Sequence, residues 1–148
     1  MDYAELAVEL IHKMRTFHKA KLQKYINENL QGEAFVLDFI ARHGDHVLPG
    51  EISNEVEVSS ARVAAALNSL EDKGLVTRQI DKNDRRKILV SLTKTGKESA
   101  EKSQQAMVEK VTNLLLQLGE RDAKEYVRIM GRLAEIAYSL KANGGEIL

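Results

Sequence analysis

The sequence contains no cysteine and no tryptophan, and only one of its 148 residues is proline. Without cysteine the chain can form no disulfide, no thiolate metal site and no thiol redox switch. No apolar run approaches the ~18–20 residues that a membrane-spanning helix needs, and the N-terminal stretch is charged and helical in pattern, unlike a signal peptide. We therefore expect a cytoplasmic protein without a membrane partner, and the scarcity of proline favours helix.

The formal net charge is zero, yet the charges are unevenly distributed along the chain. Between Ser59 and Lys97 there are nine lysine and arginine residues against four aspartate and glutamate residues, an excess of five positive charges. Clustered basic residues are typical of a surface that binds nucleic acid, whatever the total charge of the protein. The distribution therefore favours a nucleic-acid partner, although the total charge alone does not.

A helix is predicted from Ser60 to Lys73, where apolar residues repeat at the spacing of one helical face. Ser59 precedes it as an N-cap, and Gly74 supplies the left-handed residue that ends it. A short helix predicted at 51–56 comes just before. Two short helices joined by a tight turn are the arrangement of a helix-turn-helix.

A β-hairpin is predicted next, because residues 75–80 and 88–92 each alternate with a period of two. Its polar tip, from Asp81 to Lys87, carries four cations. A helix that can lie in a major groove, joined to a basic hairpin that can reach a neighbouring minor groove, outlines a winged helix-turn-helix. The predicted fold class is therefore mainly α with a small β-wing.

Long amphipathic helices are predicted before and after this winged region. At ~1.5 Å per residue each spans roughly 30–38 Å, which exceeds the diameter of the small unit that they flank. A second copy of the chain would cover their apolar faces, and two-fold dimers are the commonest assembly. We therefore predict a helical dimerisation region at 1–28 and 93–148, a winged helix-turn-helix domain at 29–92, and a homodimer. A monomeric helical bundle is the alternative.

Three motifs follow one another in and after the predicted helix: Leu70-Glu71-x-x-Gly74-Leu75-Val76-x-Arg78, Asp81-x-x-Asp84-Arg85-Arg86 and Leu89-Val90-x-Leu92-Thr93-x-x-Gly96. In this order they resemble the MarR family of winged-helix regulators, and the resemblance extends over nearly the whole chain. It implies a homodimer that straddles a pseudo-palindromic double-stranded DNA operator. For most members it also implies repression that a small-molecule effector relieves.

The resemblance implies that Arg86 enters the minor groove from the wing tip and that Asp84 braces its guanidinium. A narrow A·T-rich minor groove concentrates negative potential and attracts arginine. An aspartate two residues earlier can fix the arginine side chain before DNA arrives. Arg85 and Lys87 are expected to contact phosphates.

Base readout by the predicted recognition helix departs from the family pattern, which often has threonine or proline early and a basic residue further on. Here the base contacts are assigned to Arg62, Ser60 and Asn68. Arg62 is expected on the side away from Val63 and Ala66, where it can contact guanine, and Asn68 can read adenine. Because of this departure, the resemblance to the family does not predict the operator sequence.

Two further residues complete the predicted site. The hydroxyls of Ser59 and Ser60 can donate to phosphate, although Ser59 can equally be only a cap. Arg78 is expected to pair with wing carboxylates or phosphate. The predicted DNA-binding residues are Ser59, Ser60, Arg62, Asn68, Arg78, Asp84, Arg85, Arg86 and Lys87.

The sequence leaves one alternative to DNA binding and disfavours an enzyme. A winged-helix module that binds protein and not DNA is the alternative, given the mixed-charge wing and zero net charge. An enzyme is not expected, because arginines would repel an ion held by Asp81 and Asp84 and no nucleophile–base set occurs elsewhere. His43 and His46 offer two ligands without a third nearby, so we predict neither a metal site nor a cofactor.

Overall fold

The computed structural model contains helices and strands in the predicted order, and it describes residues 2–18, 24, 32–56 and 58–144. Its elements are α1 (Tyr3–His18), α2 (Glu33–His43), α3 (Pro49–Val56), α4 (Ser60–Asp72), β1 (Val76–Ile80), β2 (Ile88–Leu92), α5 (Lys94–Leu118) and α6 (Glu120–Ala142). The first helix is predicted to extend to residue 27, and apart from Lys24 that continuation lies outside the described residues.

The boundaries of α4 follow from two local signals that the sequence analysis identified. The hydroxyl of Ser59 accepts a hydrogen bond from the backbone N–H of Arg62 at 3.3 Å, which confirms the predicted N-cap. After Lys73, Gly74 has a φ of 72°, the left-handed conformation that ends a helix with little strain in glycine. Both ends of the predicted recognition helix are therefore fixed by its own sequence.

The hairpin pairs β1 and β2 antiparallel, with Val76 opposite Leu92 at its base. Val47 extends the sheet by an isolated bridge to Val90, formed by two backbone hydrogen bonds of 2.9 and 2.8 Å. Because Val47 lies in the short loop between α2 and α3, this bridge ties the hairpin to both helices.

The hydrophobic core joins α2, α3, α4, the hairpin and the start of α5. Its buried residues are Val36, Leu37, Phe39, Ile40, Val47, Ile52, Val63, Leu67, Leu70, Val76, Val90, Leu92 and Ala100. Full burial of one such aliphatic or aromatic side chain contributes about 1.5–3 kcal/mol. The recognition helix and the wing are therefore held by one shared core.

Contacts divide the chain into two compact units, Met1–Met107 and Val108–Leu148. The first contains the winged core, which includes Gly96 and Ala100 of α5. The dimerisation and DNA-binding regions drawn from the sequence remain a prediction. Of the helices in the described ranges, none is both long and apolar enough to span a membrane.

The junction between the hairpin and α5 is closely packed. The sequence predicts Thr93 or Thr95 as the cap of α5. The Thr93 hydroxyl donates to the Gly74 carbonyl at 2.7 Å and accepts from the Gly96 N–H at 2.9 Å, so Thr93 is the cap. The Thr93 N–H donates to the Leu75 carbonyl at 3.0 Å. A Cβ on Gly96 would lie 1.9 Å from that carbonyl oxygen, so only glycine fits there.

Candidate nucleic-acid interface

The outer face of α4 is built almost entirely from small side chains. Core residues recur on one side of the helix, and Ala61, Ala64, Ala65 and Asn68 lie exposed on the other. This spacing is that of a single helical face. With methyl groups alone over most of that face, the helix backbone is open to close approach, and the hydrogen-bonding groups in the middle of the face belong to Asn68.

Arg86 at the hairpin tip is held by Asp84. One carboxylate oxygen of Asp84, Oδ1, accepts from the Arg86 backbone N–H at 3.0 Å and from its Nε at 3.2 Å. The Arg86 side chain is nevertheless 91% exposed. The brace implied by the family resemblance is therefore present, and the guanidinium is both oriented and accessible.

Backbone hydrogen bonds order the rest of the tip. Asp81 Oδ1 accepts from the Asn83 N–H at 2.7 Å, and the Asp81 N–H donates to the Lys87 carbonyl at 2.9 Å. The side chains of Lys82 and Arg85 are exposed and form no ion pair with the described residues. Asp81 and Asp84, the two aspartates considered above as ligands of a catalytic metal ion, therefore stabilise the turn, and the cations beside them face solvent.

Hydrogen bonds lower the pKa of the Asp84 carboxyl, chiefly the one from the Arg86 backbone N–H and then the one from its side chain. Stability from this brace is therefore present above the ordinary aspartate pKa and lost as the pH falls through the lowered folded-state value.

We expect the ¹³C shift of the Asp84 carboxyl to titrate at lower pH in the folded protein than in the urea-unfolded chain. In Arg86→Ala the midpoint should rise only part of the way, because the backbone N–H remains. Equal midpoints in the folded and unfolded chains would show that the brace does not persist in solution.

Arg62 lies at the edge of a cleft of about 260 Å³ whose lining includes Val63 and Ala66. The prediction that it lies on the side away from these residues is therefore wrong: Arg62 precedes Val63 by one residue, and one step of about 100° puts it at the flank of α4. Its side chain is exposed and forms no ion pair with any described residue. Ser60 is exposed in the first turn.

Arg78 links the hairpin to α4. Its Nε donates to the Glu71 carboxylate, and its Nη2 donates to Asn68 Oδ1 at 2.6 Å. The expected carboxylate partner on the wing is therefore wrong, since the partner belongs to the recognition helix. The sequence did not predict Glu71 as the partner of Arg78. Glu71 follows Asn68 by three residues, and this spacing could have indicated that the two lie next to each other on one face of the helix.

A second ion pair fixes the far end of α4. Lys73 Nζ lies 2.6 Å from Glu33 Oε2 at the start of α2. The pKa of Glu33 is lowered by this hydrogen bond first and by one from Ser69 second. Both partners are partly exposed, so the pair adds at most about 1 kcal/mol to stability and serves mainly to set the helix position.

His43, at the end of α2, and His46, in the loop after it, have other partners. His43 Nδ1 donates to the Phe39 carbonyl at 3.0 Å, and its ring stacks on that of Phe39. The His46 backbone N–H donates to Ser91 Oγ at 3.1 Å. Nowhere in the described ranges do three histidine, aspartate or glutamate side chains group to hold a metal ion.

A helix-turn-helix followed by an arginine-tipped hairpin defines the winged-helix class of proteins. The profile of the MarR family matches residues 29–87. Over these residues the chain is similar to the MarR family of winged-helix transcriptional regulators, the family that its sequence motifs resemble.

Two Bacillus subtilis proteins illustrate the sequence similarity. The uncharacterised helix-turn-helix-type transcriptional regulator YwhA is 29% identical over 143 residues, covering 91% of this chain and 100% of that protein. The helix-turn-helix-type transcriptional repressor YetL is 26% identical over 106 residues, covering 71% of this chain and 64% of that protein. These relatives are transcriptional regulators and not enzymes.

Solved structures share the fold. YusO from Bacillus subtilis superposes with a TM-score of 0.68 at 23% identity, covering 91% of this chain and 99% of that one. A complex of S. aureus MepR with DNA gives a TM-score of 0.61 at 23% identity, covering 95% and 99%. The winged helix-turn-helix fold predicted from the sequence is confirmed.

Proposed function

We propose that this protein is a homodimeric, sequence-specific DNA-binding repressor that a small-molecule effector releases from a pseudo-palindromic operator. The observation that carries the proposal is the exposed Arg86 guanidinium, which Asp84 holds at the tip of a basic hairpin. A narrow minor groove attracts such a side chain. The repressor YetL and the DNA complex of MepR, both similar to this chain, support the same function.

Each docking element has a role in this proposal. The outer face of α4 enters the major groove, and Arg86 enters the adjacent minor groove. Arg85, Lys87 and the hydroxyls of Ser59 and Ser60 contact phosphates, which fixes the register on the duplex without reading sequence. Arg62, at the flank of α4, reads guanine or contacts the backbone beside it.

The homodimer is supported by the apolar side chains that the second compact unit exposes. On α6 the exposed large apolar residues are Tyr126, Val127, Ile129, Met130, Leu133, Ile136, Tyr138 and Leu140. No described side chain of α6 is buried. Burying apolar surface contributes about 25 cal/mol of free energy per Å². A second copy of the chain would bury this face, so the gain favours a dimer.

An effector is supported by a cavity of about 360 Å³ in the first compact unit. Its lining includes Asp38 and Ala41 of α2, Leu92 at the end of β2, and Lys97 and Glu101 of α5. This volume lies at the lower end of the range typical of small-molecule sites, ≈ 300–1,000 Å³. A ligand bound there would contact both α2 and the base of the hairpin, and could therefore change the position of the wing.

Footprinting on genomic fragments recovered with the purified protein tests the proposal. We expect two protected half-sites whose centres lie ~10 bp apart, or a multiple of that spacing, on one side of the duplex. Affinity should fall steeply between roughly 50 and 200 mM salt, because several phosphates are neutralised. Sedimentation should give a dimer. A lone subunit, or no fragment retained at low salt, would contradict the proposal and favour the protein-binding alternative.

A matched pair of variants separates the dimer from the groove contacts. Leu133 is 53% exposed on α6, and Leu133→Glu places a charge in the apolar face, so we expect monomers and much weaker operator binding. Glu135 lies about 200° further round the same helix. Glu135→Lys changes charge on that other face and should leave the dimer intact.

A further inference from the structure

The amide group of Asn68 is held in one orientation by Arg78. Arg78 Nη2 donates to Asn68 Oδ1 at 2.6 Å, while Nε of the same guanidinium donates to Glu71. Guanidinium nitrogens donate and never accept, so chemistry alone requires the amide oxygen to face Arg78. The Nδ2 amino group of Asn68 therefore faces away, and it forms no hydrogen bond with the described residues.

This amino group is the outermost hydrogen-bonding group in the middle of α4. Its neighbours on that face, Ala61, Ala64 and Ala65, present only methyl groups. Asp72, the next residue along the face, is an anion that phosphates repel. Any hydrogen bond from the centre of this face to a base edge thus has to be donated by Asn68 Nδ2.

We propose that Arg78 is a specificity-determining positioning residue, which fixes Asn68 so that α4 reads a keto base, guanine or thymine. A bidentate contact to adenine needs the asparagine oxygen to accept from N6 while its nitrogen donates to N7. Arg78 turns that oxygen toward itself, so the oxygen is not presented to the base edge beside the amino group. Guanine presents two acceptors, O6 and N7, and thymine presents O4. Adenine presents its N7 acceptor only beside an N6 amino donor, and cytosine presents an amino donor alone, so the Asn68 amino group meets a like donor at both bases.

This inference rests on the proposed function and replaces the adenine contact that Asn68 alone predicts. Selection from a randomised duplex library, followed by sequencing, tests it with four proteins: wild type, Asn68→Ala, Arg78→Met and Arg85→Ala. Asn68→Ala is an exposed change that favours helix, so it carries the test even where Arg78→Met folds poorly. Arg85→Ala removes a cation without touching Asn68 and controls for lost charge.

In wild type we expect one position of each half-site to favour guanine or thymine over adenine and cytosine by roughly fivefold or more. Asn68→Ala should abolish that preference, Arg78→Met should admit adenine there, and Arg85→Ala should weaken binding while keeping the preference.

An adenine preference that Asn68→Ala removes, or a profile that Asn68→Ala leaves unchanged, would overturn the inference while leaving the proposed function intact. A wild-type protein that enriches no sequence would instead refute the proposed function, and the inference with it.

Discussion

Replacing Arg86 with alanine is expected to weaken operator binding by roughly 30-fold, since the two wing tips of the proposed dimer each lose at least about 1 kcal/mol. The change removes the guanidinium that Asp84 holds ready, and with it the proposed minor-groove contact. Electrophoretic shift at physiological salt measures the loss. Because the Arg86 side chain is 91% exposed and the backbone hydrogen bond to Asp84 remains, the melting temperature should change little.

Arg85→Ala is the matched control for this prediction. Arg85 lies in the same turn, is exposed, and forms no ion pair with the described residues. Its loss should reduce affinity less, by about the same factor on every sequence, and lower the salt dependence by about two phosphate contacts, one for each subunit of the proposed dimer. If Arg86→Ala bound the operator as tightly as Arg85→Ala at every salt concentration, the minor-groove role of Arg86 would be refuted.

Replacing Gly96 with alanine is expected to lower the free energy of unfolding by about 3 kcal/mol, the upper end of typical overpacking costs. The added Cβ would lie 1.9 Å from the Leu75 carbonyl oxygen and 2.9 Å from its carbon, and a backbone atom cannot move aside as a flexible side chain can. The melting temperature should fall by roughly 6–12 °C for a chain of this size. Urea and thermal unfolding measure both quantities.

Gly50→Ala provides the comparison. Gly50 lies in α3 with no atom within 4 Å of its missing Cβ, so alanine there should be neutral or stabilise by up to about 1 kcal/mol. The contrast isolates the close approach at Gly96 from the general effect of glycine in a helix. An unfolding midpoint of Gly96→Ala equal to that of wild type would mean that the hairpin and α5 separate easily.

The parts of the fold that the sequence predicts are those with local causes. Ser59, Gly74 and Thr93 each act within a few residues of their own position, by accepting a capping hydrogen bond or by adopting a left-handed turn. The two strands show a period of two, and the hairpin joins them in the expected order. Their bounds, and those of α4, agree with prediction to within one or two residues.

The side-chain partners across elements could not be predicted in this way. Arg78 pairs with Glu71 and Asn68 because the packed core sets β1 beside one particular face of α4. Lys73 and Glu33 are 40 residues apart in sequence, and nothing local to either one indicates the other. The site chemistry therefore depends on packing, which a reading of periodicity alone does not resolve.

The Thr93–Gly96 junction also determines how far a small rotation of α5 would carry the wing tip. From that junction the strand and the turn beyond it place Arg86 roughly 20 Å away, at about 3.3 Å per strand residue. With the base of the hairpin fastened to the first turn of the helix, a tilt of about 10° there displaces the arginine sideways by about 3.5 Å over this length. That is more than half the ≈ 6 Å width of a minor groove. For the regulator proposed above, a tilt of this size at the start of α5 would be enough to withdraw Arg86 from a minor groove.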